Sequence, residues 1–405
     1  TFSCARRQVV RPSIVLYYND LVFQPSESFL HKDFGQVPHV LAELHDAKLE
    51  YWIAATQPNP SLDRFLGHRV RQFAKSGPAL PARFDVLRNH DLYRAIAREP
   101  AFTHLVIFPF TPATDLAVAR RAKRRGVRII LKLDTNVDYL ASLAASWQQH
   151  GHGWRRFLTQ AYHYRELLRT ADVVICETSA CDAVLRDGFL DLDLDAKLVK
   201  TFSGLSQRWF DTLGLADVPD EARRASIIVS GRISSAQKHS ETIFAAGPPP
   251  PGWVIEFVGS VDADLERVIA TYRATDPAFD DHYRFHGAIT DKRAYFALLM
   301  QARALLLNSR GGEGFPNVFA EAHLCRLLIM TSDVSGADDA TDGGKWGIIY
   351  AADDPAALRA ALDSLPAQAD AQQKGGAPEA HRRRFIWEHS LNQPAIRHLF
   401  ETSGA

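Results

Sequence analysis

Two carboxylates eight positions apart, Glu313 and Glu321, lie in the run SRGGEGFPNVFAEA, and their surroundings decide what they can do. An apolar run, residues 304–307, ends in a turn holding Gly311, Gly312 and Gly314; Pro316 then opens an amphipathic run with Val318, Phe319, Ala322 and Leu324. This pattern predicts strand, tight loop and helix. Proline suits a first helical turn, where its missing N–H would have no partner anyway, and glycine lets backbone come close to a ligand. The helix N-terminus then offers free N–H donors and partial positive charge to an anionic or hydroxyl-rich partner. Glu313 overhangs the mouth of such a crevice and Glu321 lines its wall, although a surface loop Glu and a helix Glu would look the same. Arg232 and Lys238, in GRISSAQKHS after the apolar run 227–230, also follow a strand end, where ligands of open α/β sheets gather. Taken alone, they read as solvated surface cations.

The elements that must position these groups alternate. Apolar strand candidates at 14–18, 51–55, 105–110, 128–133, 173–176 and 197–201 are separated by helix-length segments, and the alternation restarts at 227–230, 254–258, 283–286, 304–307, 327–331 and 347–350. Such spacing implies βαβ units and parallel sheets. Strand periodicity is lost between Phe202 and Ala225, so two Rossmann-like domains are expected: 1–205, a linker at 206–225, and 226–384, with 385–405 forming a last helix. Pro249 and its three proline neighbours make a stiff extended connector, and 366–379, rich in Ala, Gln and Gly, is expected to be exposed.

SRGGEGFPNVFAEA resembles the E-x7-E motif of glycosyltransferase family 4, whose members are retaining nucleotide-sugar glycosyltransferases of the GT-B fold. The resemblance implies two Rossmann-like domains facing a central cleft, the first on the acceptor side and the second holding the donor, with the last helix crossing back to the first. It places Glu313 beside the donor sugar, with backbone N–H groups around Gly314, Phe315, Pro316 and Asn317 gripping sugar hydroxyls, and Glu321 on the ribose. GRISSAQK is similar to the family's G-R-x5-K, which sets Arg232 and Lys238 against the diphosphate leaving group. HGAIT resembles the loop that cradles the base, with Ile289 as its contact, or else it is an ordinary strand-to-helix turn. Gly35 stands where the family has a Gly-rich loop near the donor phosphates; it reads equally as a helix-entry turn with Pro38 in its first turn. Family members place a His after the strand that here ends in KLDTN, so Asp134 either occupies that active-site position or caps the following helix. No residue is an obvious nucleophile for double displacement, so a front-face reaction is expected, in which the leaving phosphate helps deprotonate the acceptor.

Equal numbers of basic and acidic residues, 47 each, argue against nucleic acid as a partner. No apolar run approaches the roughly 18 residues needed to cross a bilayer, and nothing reads as a signal peptide. Cys4, Cys176, Cys181 and Cys325 show no paired spacing, which suits a reducing cytoplasm. His150, His152 and His163 lack carboxylate or thiolate partners at ligand spacing, so no metal and no cofactor are expected. The donor would be a nucleotide-diphosphate sugar and the acceptor a carbohydrate, a lipid-linked or a small molecule, in polysaccharide, glycolipid or glycoconjugate biosynthesis. The basic run 114–128 reads as a solvated face or as a peripheral contact with an anionic membrane at its inner face. A sugar-nucleotide epimerase and a non-catalytic two-lobed sugar-nucleotide binder are the competing readings. A glycoside hydrolase would use two carboxylates but leaves Arg232 and Lys238 unexplained.

Overall fold

A computed structural model describes residues 11–19, 25–77, 82–98, 102–150, 153–235, 238–310 and 312–401. Cys4, His152 and Gly311, all weighed in the sequence, lie outside the described residues. The chain forms two sheets. The first contains β1 (Ser13–Asn19), β2 (Lys48–Ala55), β3 (Arg64–Phe65), β4 (His68–Ala74), β5 (His104–Ile107), β6 (Arg128–Lys132), β7 (Val173–Cys176) and β8 (Leu198–Lys200). Their order is β3-β4-β2-β1-β5-β6-β7-β8, and every pairing is parallel except the β3–β4 hairpin. The second contains β9 (Ser226–Ser230), β10 (Val254–Val258), β11 (Tyr283–Phe285), β12 (Ala304–Leu307), β13 (Leu328–Ser332) and β14 (Gly347–Tyr350), ordered β11-β10-β9-β12-β13-β14 and wholly parallel.

The helices that matter for the site are α1 (Asp33–Leu44), α2 (Pro112–Lys123), α3 (Val137–His150), α4 (Gln160–Thr170), α5 (Lys292–Gln301), α6 (Asn317–Leu324), α7 (Pro355–Gly375) and α8 (Pro394–Glu401). Strand side chains alternate between faces. On β1, Val15 and Tyr17 enter one core, and Ile14, Leu16 and Tyr18 the other. Both faces of the first sheet are therefore covered, as a parallel sheet requires.

Sheet order determines where a ligand can sit. In each sheet the chain runs outward from the first strand to one side and then crosses over to the other: β1 lies between β2 and β5, and β9 between β10 and β12. The crevice outside the carboxyl ends of such strands is the usual ligand site of an open α/β sheet.

Two stretches differ from the sequence expectation. β4 was not expected, because HRVRQFA is largely polar and buries only Val70 well; it is held by backbone pairing to β2 and by the short β3 hairpin. The stretch from Pro366 onward is helical as far as Gly375, since α7 continues through the proline, with Leu365 and Ala369 buried against the second core. After residue 385 the chain returns to the first sheet. Trp387, Leu391, Ile396, Leu399 and Phe400 join its core, each buried side chain contributing about 1.5–3 kcal/mol. His104 Nε2 bonds the Leu399 carbonyl at 3.1 Å, and Phe400 stacks on His45 and His104.

Candidate active site

A cavity of about 840 Å³ separates the carboxyl ends of the two sheets. The second domain lines it with the segments after β9 and β12, the two strands flanking its switch point. After β9, Gly231 donates its N–H to the Val258 carbonyl at 3.0 Å and leads directly to Arg232, which is exposed and faces the cavity. This path needs glycine at 259: its φ is +155°, and a Cβ there would lie 1.6 Å from the Gly231 oxygen. The sequence reading missed Gly259, although a glycine just past β10 was its visible trace.

Lys238 Nζ reaches Glu313 Oε1 at 2.6 Å, so the two expected groups meet across the loops after β9 and β12. Asn308, immediately past β12, donates Nδ2–H to the backbone carbonyls of Lys238 (3.2 Å) and His239 (2.7 Å). Tyr350 donates its hydroxyl to Asn308 Oδ1 at 2.9 Å, so β14 fixes the side chain that pins the lysine loop. Gly314, Phe315, Pro316 and Asn317 line the cavity where α6 begins; the Phe319 N–H bonds the Pro316 carbonyl at 3.0 Å, and the N–H groups of Asn317 and Val318 have no earlier turn to bond.

Glu321, one turn into α6, accepts from the Tyr295 hydroxyl at 2.5 Å; Tyr295 has one proton to give, so Ser230, 2.7 Å away, donates to it. Burial raises the Glu321 carboxyl above its ordinary range, opposed by Lys292 and by the Tyr295 bond. Ile289 lines the same wall, beside Lys292.

The first domain supplies the opposite wall. Asp134, separated from the end of β6 by Leu133, faces the cavity. It is not the helix cap, because Asn136 Oδ1 accepts the Tyr139 N–H at 2.8 Å at the start of α3. Its side chain is open to solvent within the cleft, yet desolvation by the surrounding walls raises the carboxyl above the ordinary carboxylate range; Lys132 opposes the rise, while Asp33 and Glu313 add to it.

Behind Asp134 lies a charge cluster that the sequence reading did not find. Lys132 is fully buried, bonded to Glu177, and 3.6 Å from Asp33 Oδ2. Ser203 Oγ lies 2.8 Å from Asp33 Oδ2 and 2.7 Å from Glu177 Oε1. Burial pushes Glu177 well above its ordinary range against the pull of Lys132. Asp33, Lys132, Glu177 and Ser203 come from α1, β6 and the ends of β7 and β8, and no local motif links segments so far apart.

Gly35 is the one expected site residue not brought to the cavity. It lies in the first turn of α1, buried, with its carbonyl accepting the Tyr51 hydroxyl at 2.8 Å. A Cβ there would meet the Leu30 oxygen at 2.0 Å, so glycine is explained by close packing. Its neighbour Gln36 does line the cavity. Among the described residues, no three His, Cys, Asp or Glu side chains converge as a metal site, and no helix is long and apolar enough to cross a membrane.

Residues 212–368 match the family described as glycosyl transferases group 1. No curated protein matches the chain significantly in sequence. Among solved structures, sucrose-phosphate synthase from Thermosynechococcus elongatus is similar over 97% of this chain and 100% of its own, at 17% identity and a TM-score of 0.69. The lipopolysaccharide outer core galactosyltransferase WaaB, in its apo form, is similar over 95% and 99%, at 15% identity and a TM-score of 0.63. Anabaena HepE in complex with UDP and glucose is similar over 96% and 99%, at 14% identity and a TM-score of 0.62. Likeness at such identities is one of fold. The chain thus has the two-domain GT-B fold, and the motifs after β9 and β12 and on α6 fall within the part that matches the group 1 glycosyl transferases.

Proposed function

We infer that this protein is a retaining, metal-independent glycosyltransferase of family 4 that moves a sugar from a nucleotide-diphosphate sugar to an acceptor hydroxyl, in polysaccharide, glycolipid or glycoconjugate synthesis. One observation carries this reading. Arg232, Lys238 and Lys292 share a cavity with Glu313, Glu321 and the start of α6, and Asp134 faces them from the other domain. The cations suit a diphosphate, whose charge grows as the glycosidic bond breaks, and fixed cations stabilise that charge without a metal. Arg232 has no ion-pair partner among the described residues and is open to an anion. Lys238 would exchange part of its contact with Glu313 for a phosphate oxygen.

Glu321 keeps one oxygen on Tyr295, leaving the other for ribose hydroxyls. Glu313 and the first-turn N–H groups of α6 would hold the sugar and stabilise positive charge at its anomeric carbon. The acceptor oxygen attacks from the face the phosphate leaves, and its proton passes to the departing phosphate oxygen, so the configuration is retained. Asp134 would orient the acceptor hydroxyl; with its carboxyl raised by desolvation from the cleft walls, it is suited to sharing a proton with that group. Similarity to a structure holding UDP and glucose supports testing uridine donors first.

The test is product analysis. With donor and acceptor supplied, nuclear magnetic resonance should show a glycoside of the donor's own anomeric configuration. Glu313→Ala and Lys238→Ala should each lower turnover by about two orders of magnitude or more, with the fold intact. Folded variants with near-normal turnover would remove both from the mechanism. An altered sugar released without any acceptor would favour the epimerase.

A further inference from the structure

The chain crosses between the domains twice, and the two crossings run side by side. Going out, Val199 packs in the first domain's core and Phe202 in the second's; coming back, Phe385 packs in the second core and Trp387 in the first. The crossings are bonded to each other. The Leu205 N–H donates to the Phe385 carbonyl and the Trp387 N–H to the Leu205 carbonyl, each at 3.1 Å. Rotation of one domain against the other must therefore bend this two-stranded hinge.

A cavity of about 270 Å³ opens against the hinge and shares no lining residue with the cleft. Lys200, at the end of β8, and His389 line it from the first-domain side, and Arg383 and Arg384 from the second. None of the described residues lining it is acidic. Glu379 pairs with Arg383, and Glu388, next to His389, is occupied by the Ser206 hydroxyl and the N–H groups of Gln207 and Arg208. Lys200 and Arg384 lie over the same Phe202 ring, at 5.4 Å and 4.5 Å from its centre, so the fold holds together like charges that scattered surface cations would keep apart. Two hydroxyl oxygens of lining residues, Thr201 Oγ1 and Ser390 Oγ, are buried with no hydrogen-bond partner among the described residues, whereas buried polar atoms ordinarily have one.

We propose that this cavity binds a small phosphate-bearing anion, a phosphomonoester of a polyol, and that the bound anion ties the two domains together at the hinge. An ammonium on one side and two guanidinium groups on the other suit a group whose charge is shared by three oxygens. Gln393 donates its amide N–H groups to the Lys200 and Ser390 carbonyls, at 2.9 Å and 3.0 Å, which leaves its amide oxygen for a hydroxyl of the same ligand. Lys200 also donates to Ser179 Oγ at 2.9 Å, and that hydroxyl donates to Asp339 of the second domain. An anion gripping Lys200 and the arginines therefore bears on a second contact between the domains. The site does not depend on what the cleft binds.

Calorimetric titration of Arg232→Ala protein, which removes one cation from the cleft, tests this with glycerol 3-phosphate, inorganic phosphate and glycerol. Glycerol 3-phosphate should bind at one site, inorganic phosphate more weakly and glycerol not at all. Adding Lys200→Gln and Arg383→Gln should weaken glycerol 3-phosphate about tenfold or more, the loss expected when charged hydrogen bonds are removed. The Arg383 side chain is 56% exposed, so Arg383→Gln alone carries the comparison if the pair does not fold. In hydrogen exchange, glycerol 3-phosphate should slow the Leu205 and Trp387 amides, and should not do so once the hinge cations are replaced. Folded Arg232→Ala protein that does not bind glycerol 3-phosphate, or binding that is equal after the hinge substitutions, would overturn the proposal. Binding that leaves those two amides unchanged would overturn the tie between domains, and equal affinity for inorganic phosphate would overturn the assignment to a phosphomonoester.

Discussion

Lys132 shows best how a single side chain supports the cleft. It is a buried ammonium lying over the rings of Phe108 and Trp387, with Glu177 and Asp33 as its charge partners. Burial alone would lower its pKa, but the two carboxylates reverse that and hold it above the ordinary lysine value. Removing one member of such a group leaves uncompensated charge, so Lys132→Met should reduce the unfolding free energy in urea by roughly 3–5 kcal/mol. An unchanged unfolding midpoint would mean that Glu177 and Asp33 do not depend on it. The sequence did not disclose this cluster because its members are 99, 45 and 26 positions apart along the chain (33 to 132, 132 to 177, 177 to 203), beyond any local spacing rule. Glu313 and Lys238 were legible for the opposite reason: each lies in a short motif whose glycines mark a strand end.

At the scale of elements, α6 is secured from behind. His323 on α6 and His381 both donate Nε2–H to the Ala340 carbonyl, at 2.9 Å and 3.1 Å. His323 stacks on Phe385, and burial lowers its pKa to about 3. In the unfolded chain the ring takes a proton near its ordinary value of about 6.5, so between these values the unfolded state binds more protons and stability falls as pH falls. Within that window the loss is about 1.4 kcal/mol per pH unit for this group. Urea unfolding at neutral pH and near pH 4.5 should therefore give a steeper decline for the wild type than for His323→Gln. Equal slopes would show that His323 does not titrate on unfolding. The strands were mostly readable as apolar runs because they are buried on both faces. β4 was not, since it buries only Val70 well and its place is set chiefly by pairing to β2 and the β3 hairpin. Gly35 misled because a glycine that packs tightly in a first helical turn looks, in sequence, like one that approaches a ligand.

In the whole molecule, the two domains touch across the cleft at points that set its width. Ser179 N–H and Oγ–H donate to Asp339 at 2.7 Å and 2.5 Å, and Gly314 approaches the first domain so closely that a Cβ would lie 2.5 Å from the Thr135 carbonyl oxygen. Gly314 follows Glu313 and Thr135 follows Asp134, so the glycine lets the loops that carry these two carboxylates close on each other. Gly314→Ala should open the gap and lower turnover about 100-fold, since small misplacements of reacting groups are that costly. Nucleotide binding should survive, because the groups proposed to hold the nucleotide all lie on the second domain. Normal turnover in this variant would show that the contact does not set the catalytic geometry.

In the proposed function, the cleft holds a nucleotide diphosphate between Arg232 and Lys238. Thermal melting of the wild type and of Arg232→Ala with UDP, GDP, ADP, CMP and dTDP, and with their common sugar conjugates, tests it most directly. One diphosphate should raise the wild-type melting temperature by mass action, and the shift should vanish in Arg232→Ala. A folded wild-type protein that no nucleotide stabilises, or a shift that persists unchanged in Arg232→Ala, would rule out a diphosphate held by these two cations.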